Sequence, residues 1–89
     1  MTQPYLEVTF RRGKPLAAYY YLPRRQSEKS YRSVRHEPGI VVDFGRRGHP
    51  IGIEITAPNE VSLAAMNRVL RELGLPTLKR ADLAPLLAA

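Results

Sequence analysis

The sequence of 89 residues contains no cysteine and no tryptophan, and it has eight acidic residues against fourteen lysines and arginines. Without cysteine, neither a disulfide framework nor a thiolate metal site can form, and this absence fits a reducing compartment. The longest uninterrupted apolar runs are far shorter than a bilayer requires. The first residues also lack the basic segment and the apolar segment that together make a secretion signal. We therefore expect a cytoplasmic protein with no membrane partner.

The shortage of acidic residues leaves a formal net charge of +6, and this charge is unevenly placed. Residues 1–57 hold ten basic and five acidic side chains, whereas residues 58–89 hold four and three. Eleven of the basic residues are arginine, which favours bidentate contacts to phosphate or carboxylate groups. The excess charge therefore indicates either an anionic partner or a surface that serves solubility alone.

The rest of the composition is that of an ordinary globular protein, with 44% apolar and 25% charged residues. The length predicts a single domain, residues 1–89, near the lower limit at which a chain buries its own core. Small domains often gain apolar burial by association, so we expect a homodimer.

The most informative stretch is 39–55, where two apolar runs flank a turn. Side chains alternate on both runs, and strand side chains have a period of two, so each set shares one face. The turn between them is Gly45-Arg46-Arg47-Gly48, and glycine tolerates the positive φ that a tight reversal needs. The alternating apolar residues are Ile40, Val42, Phe44, Ile51, Ile53 and Ile55.

Two further alternating segments precede this stretch. Residues 5–10 place Leu6, Val8 and Phe10 on one half-buried face, and residues 16–22 form the next strand after a turn. Residues 24–30 are the most polar and predict a loop, and residues 31–36 alternate weakly as a third strand. The pattern predicts hairpins over 5–22 and 31–55, in an antiparallel sheet of about four strands.

After residue 57 the apolar period changes to 3.6, which predicts a helix over 60–73. Asn59 or Ser62 can cap its start, and Gly74 can end it. Asp82 can cap a short final helix in the tail. We predict an α+β fold with a β part at 1–57 and a helical part at 58–89. The helix is expected to cover the isoleucine face. The opposite face of the sheet is more polar and carries Tyr19, Tyr21, Val41, Asp43, Gly52 and Glu54.

The stretch VVDFGRRGHPIGIEI, residues 41–55, resembles a family of small bacterial proteins classed as a domain of unknown function. The resemblance covers about residues 31–57 and implies a sheet-plus-helix fold in the bacterial cytoplasm. It implies no established activity, only small partner proteins of toxin–antitoxin-like pairs. The family's turn is usually acidic, whereas here it is Gly-Arg-Arg-Gly. The residues that match the family's shared pattern are Asp43, Gly48, Gly52, Ile53, Glu54 and Ile55.

Three arginine pairs lie at predicted turns or loops. If these turns shared one end of the sheet, they would form a single positive rim beside exposed tyrosines, a surface typical of single-stranded nucleic-acid binding. The alternative is that arginines at turns keep strand edges from aggregating. The candidate partner-binding or nucleic-acid-binding residues are Arg11, Arg12, Tyr19, Tyr21, Arg24, Arg25, Arg46 and Arg47.

Two carboxylates, Asp43 and Glu54, lie where facing strands could bring them together for acid–base chemistry or a metal. The alternative is that both lie on the polar face of the sheet and pair with nearby arginines. Gly52, next to Glu54, indicates a close backbone approach or an aromatic ring packed over the strand.

One short segment contains the residue types of a small ribonuclease site: Tyr31, Arg32, Arg35 and His36. A Ser33–His36–Asp43 triad would need a nucleophile elbow, which the sequence lacks. His36 and His49 with Asp43 match no recognised spacing of metal ligands. We therefore predict no enzyme, no cofactor and no metal, with a small ribonuclease as the weaker alternative.

These patterns favour a non-enzymatic interaction module that presents a basic, tyrosine-bearing sheet face to a protein partner or to itself. It would be one half of a toxin–antitoxin-like pair. The alternative from another class is an RNA-binding protein that uses the arginine turns and exposed tyrosines.

Overall fold

A computed structural model describes residues 3–23 and 28–87 and shows an α+β fold. Its strands are β1 (Tyr5–Arg11), β2 (Lys14–Tyr21), β3 (Arg32–Glu37), β4 (Ile40–Phe44) and β5 (Pro50–Ile55). The α+β class and the antiparallel sheet are confirmed. The sheet has five strands where about four were predicted, since all five alternating segments pair with a neighbour.

The order of the strands in the sheet is β1-β2-β5-β4-β3, and every neighbouring pair is antiparallel. The first predicted hairpin is β1–β2. The second predicted hairpin is a three-stranded meander, β3-β4-β5, whose last strand pairs with β2. This one long-range pairing joins the two halves, and it places the isoleucine-rich β5 in the middle of the sheet.

Helix α1 spans Leu63–Glu72, three residues shorter at its start than the predicted 60–73. The difference arises because Pro58–Glu60 form a separate 3₁₀ turn. Of the two predicted caps, Ser62 is the one used, and its Oγ accepts the N–H of Ala65 at 3.1 Å. The tail forms a 3₁₀ turn over Arg80–Leu83 and a short helix α2 over Ala84–Leu87.

The core lies between α1 and one face of the sheet. Met66, Val69 and Leu70 of α1 are fully buried against the isoleucines of β4 and β5. Tyr20 of β2 belongs to the same cluster, and burial, with a smaller effect from the charge of Asp82, raises the pKa of its hydroxyl above 10.0. Tyr20 is thus a core residue, whereas Tyr19 and Tyr21 are only half-buried.

The tail is held on α1 by a pair of hydrogen bonds from Asn67. Its Nδ2 donates to the carbonyl of Leu78 at 3.0 Å, and its Oδ1 accepts the N–H of Leu78 at 2.7 Å. The side-chain amide of Asn67 therefore satisfies both backbone hydrogen-bonding groups of Leu78, as a neighbouring strand would in a sheet.

Helix α1 is also tied to the edge of the sheet by one bidentate ion pair. Arg68 donates from Nε and Nη2 to the two carboxylate oxygens of Glu37, at 2.9 and 2.8 Å. The hydrogen bond from Arg68 is the main cause that lowers the pKa of the Glu37 carboxyl below its ordinary 4.5, and desolvation opposes it.

The lowered pKa of Glu37 predicts an acid-dependent loss of stability. The stabilising contribution is present above the unfolded-state pKa and is lost as pH falls through the lower folded-state value. We therefore expect the melting temperature of the wild type to fall more steeply below about pH 4.5 than that of Glu37→Gln. Thermal melts followed by circular dichroism across this range test the prediction.

Glu60→Gln, which removes an exposed carboxylate without a described ion pair, is the control and should keep the wild-type slope. Equal slopes for wild type and Glu37→Gln would contradict it.

None of the helices in residues 3–23 and 28–87 is long and apolar enough to cross a bilayer.

Candidate functional site

The face of the sheet that points away from α1 carries two adjacent rows of side chains, which the strand register aligns across all five strands. The first row runs from β1 to β3 through Tyr5, Tyr21, Gly52, Asp43 and Ser33. The second row contains Glu7, Tyr19, Glu54, Val41 and Arg35. We call these ten residues the tyrosine face.

Tyr19 crosses from one row to the other. Its cross-strand neighbour is Glu54, yet its hydroxyl donates to Oδ2 of Asp43 at 2.7 Å, one strand further away. The ring reaches Asp43 by lying over Gly52, where a Cβ atom would overlap the ring and the hydroxyl. The interpretation of Gly52 as a site of aromatic packing is confirmed, and the missing side chain is what makes the hydrogen bond geometrically accessible.

Asp43 accepts two hydrogen bonds from hydroxyl groups. Ser33 Oγ donates to Oδ1 at 2.5 Å, while Tyr19 occupies Oδ2. The predicted arginine partner of Asp43 is not among the described contacts. Since each carboxylate oxygen has its own donor, Ser33 from the adjacent β3 and Tyr19 from β2 across β5, Asp43 acts as a fixed anchor that orients Tyr19 and Ser33.

The three tyrosines of this face form one connected group. The rings of Tyr5 and Tyr21 are stacked with their centroids 4.5 Å apart, and Tyr19 meets Tyr21 edge-on at 4.6 Å. The hydroxyl of Tyr21 donates to Glu7 at 3.2 Å. Aromatic pairs in these geometries are favourable beyond simple burial, so the rings are held in place before any partner arrives.

The charge of the tyrosine face differs from the prediction. A basic face was expected, but the two rows contain the carboxylates of Glu7, Asp43 and Glu54 against the single guanidinium of Arg35. The reason is the alternation of the strands, which places these three carboxylates on the side opposite the core, whereas Arg12, Arg46 and Arg47 lie at turns. The tyrosine face is anionic within a cationic protein.

The single arginine rim is also not formed. The β4–β5 turn lies beyond the Phe44–Pro50 pair, at the end of the sheet where β2 finishes. The β1–β2 turn lies at the other end, where β2 begins, so Arg11 and Arg12 are separated from Arg46 and Arg47 by the length of the sheet. Arg46 lies over the ring of Tyr31, 5.5 Å from its centroid. The remaining predicted pair, Arg24 and Arg25, lies outside the described residues.

The candidate catalytic residues are divided between the two faces of the sheet. Ser33 and Asp43 meet on the tyrosine face. His36 lies on the helix side, where its Nδ1 is 3.5 Å from Glu72 of α1. Strand alternation likewise places Arg32, which stacks on Phe44, with His36 and separates it from Arg35. The sheet therefore keeps apart the residues of both the Ser/His/Asp set and the ribonuclease set.

The two histidines also have separate environments. His49 Nε2 is 2.5 Å from a carboxylate oxygen of Glu28, and His49 precedes β5 near the Phe44 end of β4, whereas His36 lies near the Ile40 end. Among residues 3–23 and 28–87, no three histidine, aspartate or glutamate side chains come together as a set of metal ligands.

Tyr5 and Glu7 were not predicted as residues of the site, and Ser33 was considered only as a member of a Ser/His/Asp triad. Tyr5 and Glu7 alternate with the half-buried Leu6 and Val8, so the period of the strand alone could have placed them on the second face. Their contact with Tyr21, however, depends on the pairing register of β1 with β2. Ser33 depends on the register of β3 with β4 in the same way.

The fold and the site define an open-faced antiparallel sheet that is backed by helices on one side only. No family model, no curated protein and no solved structure matches this chain. The resemblance of residues 41–55 to a bacterial family of unknown function stays a prediction.

Proposed function

We propose that this protein is a non-enzymatic interaction module whose tyrosine face binds an arginine- or lysine-bearing segment of a partner protein. The observation that carries the proposal is the row Glu7–Tyr19–Glu54, in which two exposed carboxylates are the cross-strand neighbours of a tyrosine. That ring is itself fixed over Gly52 by its hydrogen bond to Asp43.

A guanidinium or ammonium group is attracted to the face of an aromatic ring and to carboxylates beside it. Tyr19 supplies the ring, and Glu7 and Glu54, its partners on the two adjacent strands, supply the charges. Because the contacts with Asp43 and Tyr21 already orient the ring, little side-chain entropy remains to be lost when a partner binds. Tyr5, 46% exposed at the edge of the group, extends the aromatic surface.

The same charges disfavour two other occupants of this face. The phosphates of a nucleic acid would meet Glu7 and Glu54, and like charges brought together in an interface cost binding energy. A homodimer that paired two copies through this face would bring the same carboxylates together. A cationic segment of a different protein has the complementary charge, and a toxin–antitoxin-like pair is one setting for such a partner.

The proposal predicts that a short peptide of alternating arginine and glycine binds the tyrosine face. An extended peptide of this pattern presents its arginines on one side, as a strand does. In an amide NMR titration, we expect shifts concentrated at β1, β2 and β5 around Glu7, Tyr19 and Glu54. A peptide with glutamate in place of arginine should cause none.

The matched variants for this titration remove the same amount of charge from two places. Glu7→Gln with Glu54→Gln should weaken the arginine peptide about fivefold, as expected for two exposed ion pairs. Glu60→Gln with Glu72→Gln, on the helical side, should leave its affinity unchanged. Equal weakening in both variants, or shifts confined to other surfaces, would contradict the proposal.

A further inference from the structure

The β1–β2 hairpin extends past the rest of the sheet as a two-stranded ribbon. β5 pairs with β2 from Ala18 to Tyr21, so residues 14–17 have β1 as their neighbour and no third strand. Phe10 is 52% exposed and Leu16 is 53% exposed. The expectation that Phe10 lies on a half-buried face with Leu6 and Val8 is wrong at this end, because the cover of the core does not reach it.

The tip of this ribbon carries charge of one sign. Arg11, Arg12 and Lys14 are exposed, and none of them has an ion-pair partner among residues 3–23 and 28–87. Together with Pro15 and Leu16 they line an open depression of about 360 Å³ that has no acidic residue in its wall. Three uncompensated cations around a concave surface favour an anionic ligand.

Arg12 adopts a backbone conformation that is unfavourable for its side chain. Its φ is +54°, followed by +79° at Gly13, and two successive positive φ values are those of a type I′ turn. Glycine, asparagine and aspartate are preferred at this first position. Glycine has no Cβ, and the short polar side chains of the other two can hydrogen-bond locally, whereas arginine has neither advantage and is strained there. A turn selected for stability alone would not carry arginine, and residues held in such conformations cluster at functional sites.

We infer that this ribbon tip, residues 10–16, binds single-stranded nucleic acid, with the three cations on phosphates and the ring of Phe10 stacked on a base. Aromatic rings beside a basic surface are how proteins hold unpaired bases without reading their sequence. The site is separate from the anionic tyrosine face and does not depend on its function.

An anionic membrane is the competing occupant, and the shape of the tip disfavours it. A segment that inserts into a bilayer leads with apolar side chains, whereas the apex here is Arg12–Gly13 and the apolar residues lie behind it. Insertion of Phe10 and Leu16 would require the guanidinium of Arg12 to enter the hydrocarbon first, which is costly. A phosphate backbone instead meets the charges first.

The test measures fluorescence anisotropy of a labelled oligouridylate of about 12 nucleotides, a length within the range that such surfaces cover. Three phosphate contacts predict that log K falls against log salt with a slope of about −2, roughly a 20-fold loss from about 50 to about 200 mM. Arg11→Ser with Arg12→Ser leaves one contact and predicts a slope of about −0.7, roughly a threefold loss. Arg46→Ser with Arg47→Ser, which removes the same charge at the opposite end, should retain the wild-type slope.

Two single variants separate the roles within the tip. Phe10→Ala should weaken the oligonucleotide about tenfold without changing the salt slope, because it removes stacking and no charge. Arg12→Asn should weaken binding severalfold while the melting temperature rises by about 4 °C, since asparagine suits the turn. A variant that gains stability and loses binding identifies Arg12 as a ligand contact and excludes a merely structural role.

Three outcomes would overturn the inference. Equal losses of oligonucleotide affinity in the two double-arginine variants would show that binding depends only on the net charge of the protein. No binding of the oligonucleotide at about 50 mM salt would remove it altogether. Tip-dependent binding to vesicles rich in phosphatidylglycerol, with none to the oligonucleotide, would assign the tip to a membrane. Glu7→Gln with Glu54→Gln should bind the oligonucleotide at least as well as the wild type, so the failure of either proposal is distinguishable from that of the other.

Discussion

Leu70→Asp is expected to unfold this domain. Leu70 is fully buried in α1 and belongs to the cluster that joins the helix to the isoleucines of the sheet. The substitution removes the apolar contacts of the leucine and buries a carboxylate in a cluster of almost entirely apolar side chains. Removal of the leucine side chain alone costs about 2–5 kcal/mol, and the buried charge adds to that.

The expected loss is comparable to the whole stability of a small domain, which is about 5–15 kcal/mol. Circular dichroism during heating should therefore show no cooperative transition for Leu70→Asp at neutral pH. Ala64→Asp is the matched control, because it puts the same side chain at an exposed position of the first turn of α1. The control should melt near the wild-type temperature, since a negative charge near a helix N-terminus is favourable. A cooperative melt of Leu70→Asp at the wild-type temperature would show that α1 is not part of the core.

Gly52→Val is expected to displace Tyr19 and to disrupt the tyrosine face. A Cβ atom at position 52 overlaps the ring and hydroxyl of Tyr19, so the ring must move and its hydrogen bond to Asp43 is lost. Overpacking and the lost hydrogen bond together should cost about 1–3 kcal/mol. Valine is a far better strand residue than glycine, so local propensity predicts the opposite sign. A fall in stability would therefore come from the contact with Tyr19.

A double-mutant cycle isolates that contact. Tyr19→Ala removes the ring, and Gly52→Val made in the Tyr19→Ala background should no longer be destabilising. We expect a coupling energy of more than about 1 kcal/mol between the two positions, measured by urea denaturation. Near-ultraviolet circular dichroism should also change in Gly52→Val, because the tyrosines lose their fixed arrangement. The same destabilisation by Gly52→Val with and without Tyr19 would contradict the proposed packing.

Residue periodicity accounts for most of the local structure. The alternation around Ile53 and the 3.6-residue stripe around Leu70 predict the strands, the helix and the side that each buries. Such patterns depend only on how one segment presents its own side chains. Helix boundaries were predicted less accurately, because Asn59 and Ser62 are both cap-forming residue types. Asn59 lies in a proline-led 3₁₀ turn, and Ser62 caps α1.

The sequence predicted most residues of the candidate site but not the sign of its charge. Tyr19, Tyr21, Asp43 and Glu54 were assigned to one face from alternation alone, and Gly52 was assigned to a close approach. Their joint charge was not evident, because Arg46 and Arg47, next to this stretch in sequence, lie at a turn, whereas Asp43 and Glu54 lie on the strands. Arginine side chains therefore dominate the composition while carboxylates dominate this face.

The sequence by itself determined which side chains share a face of each strand and where α1 is apolar, since these follow from repeats of two and of 3.6 residues. Only the tertiary structure decided that β5 pairs with β2. That pairing puts Tyr19 over Gly52, places the Arg11 and Arg46 turns at opposite ends, and leaves the tip of the β1–β2 hairpin without a third strand. The period of a strand specifies its faces but not its neighbour, which is selected by the burial of apolar surface between segments far apart in the chain.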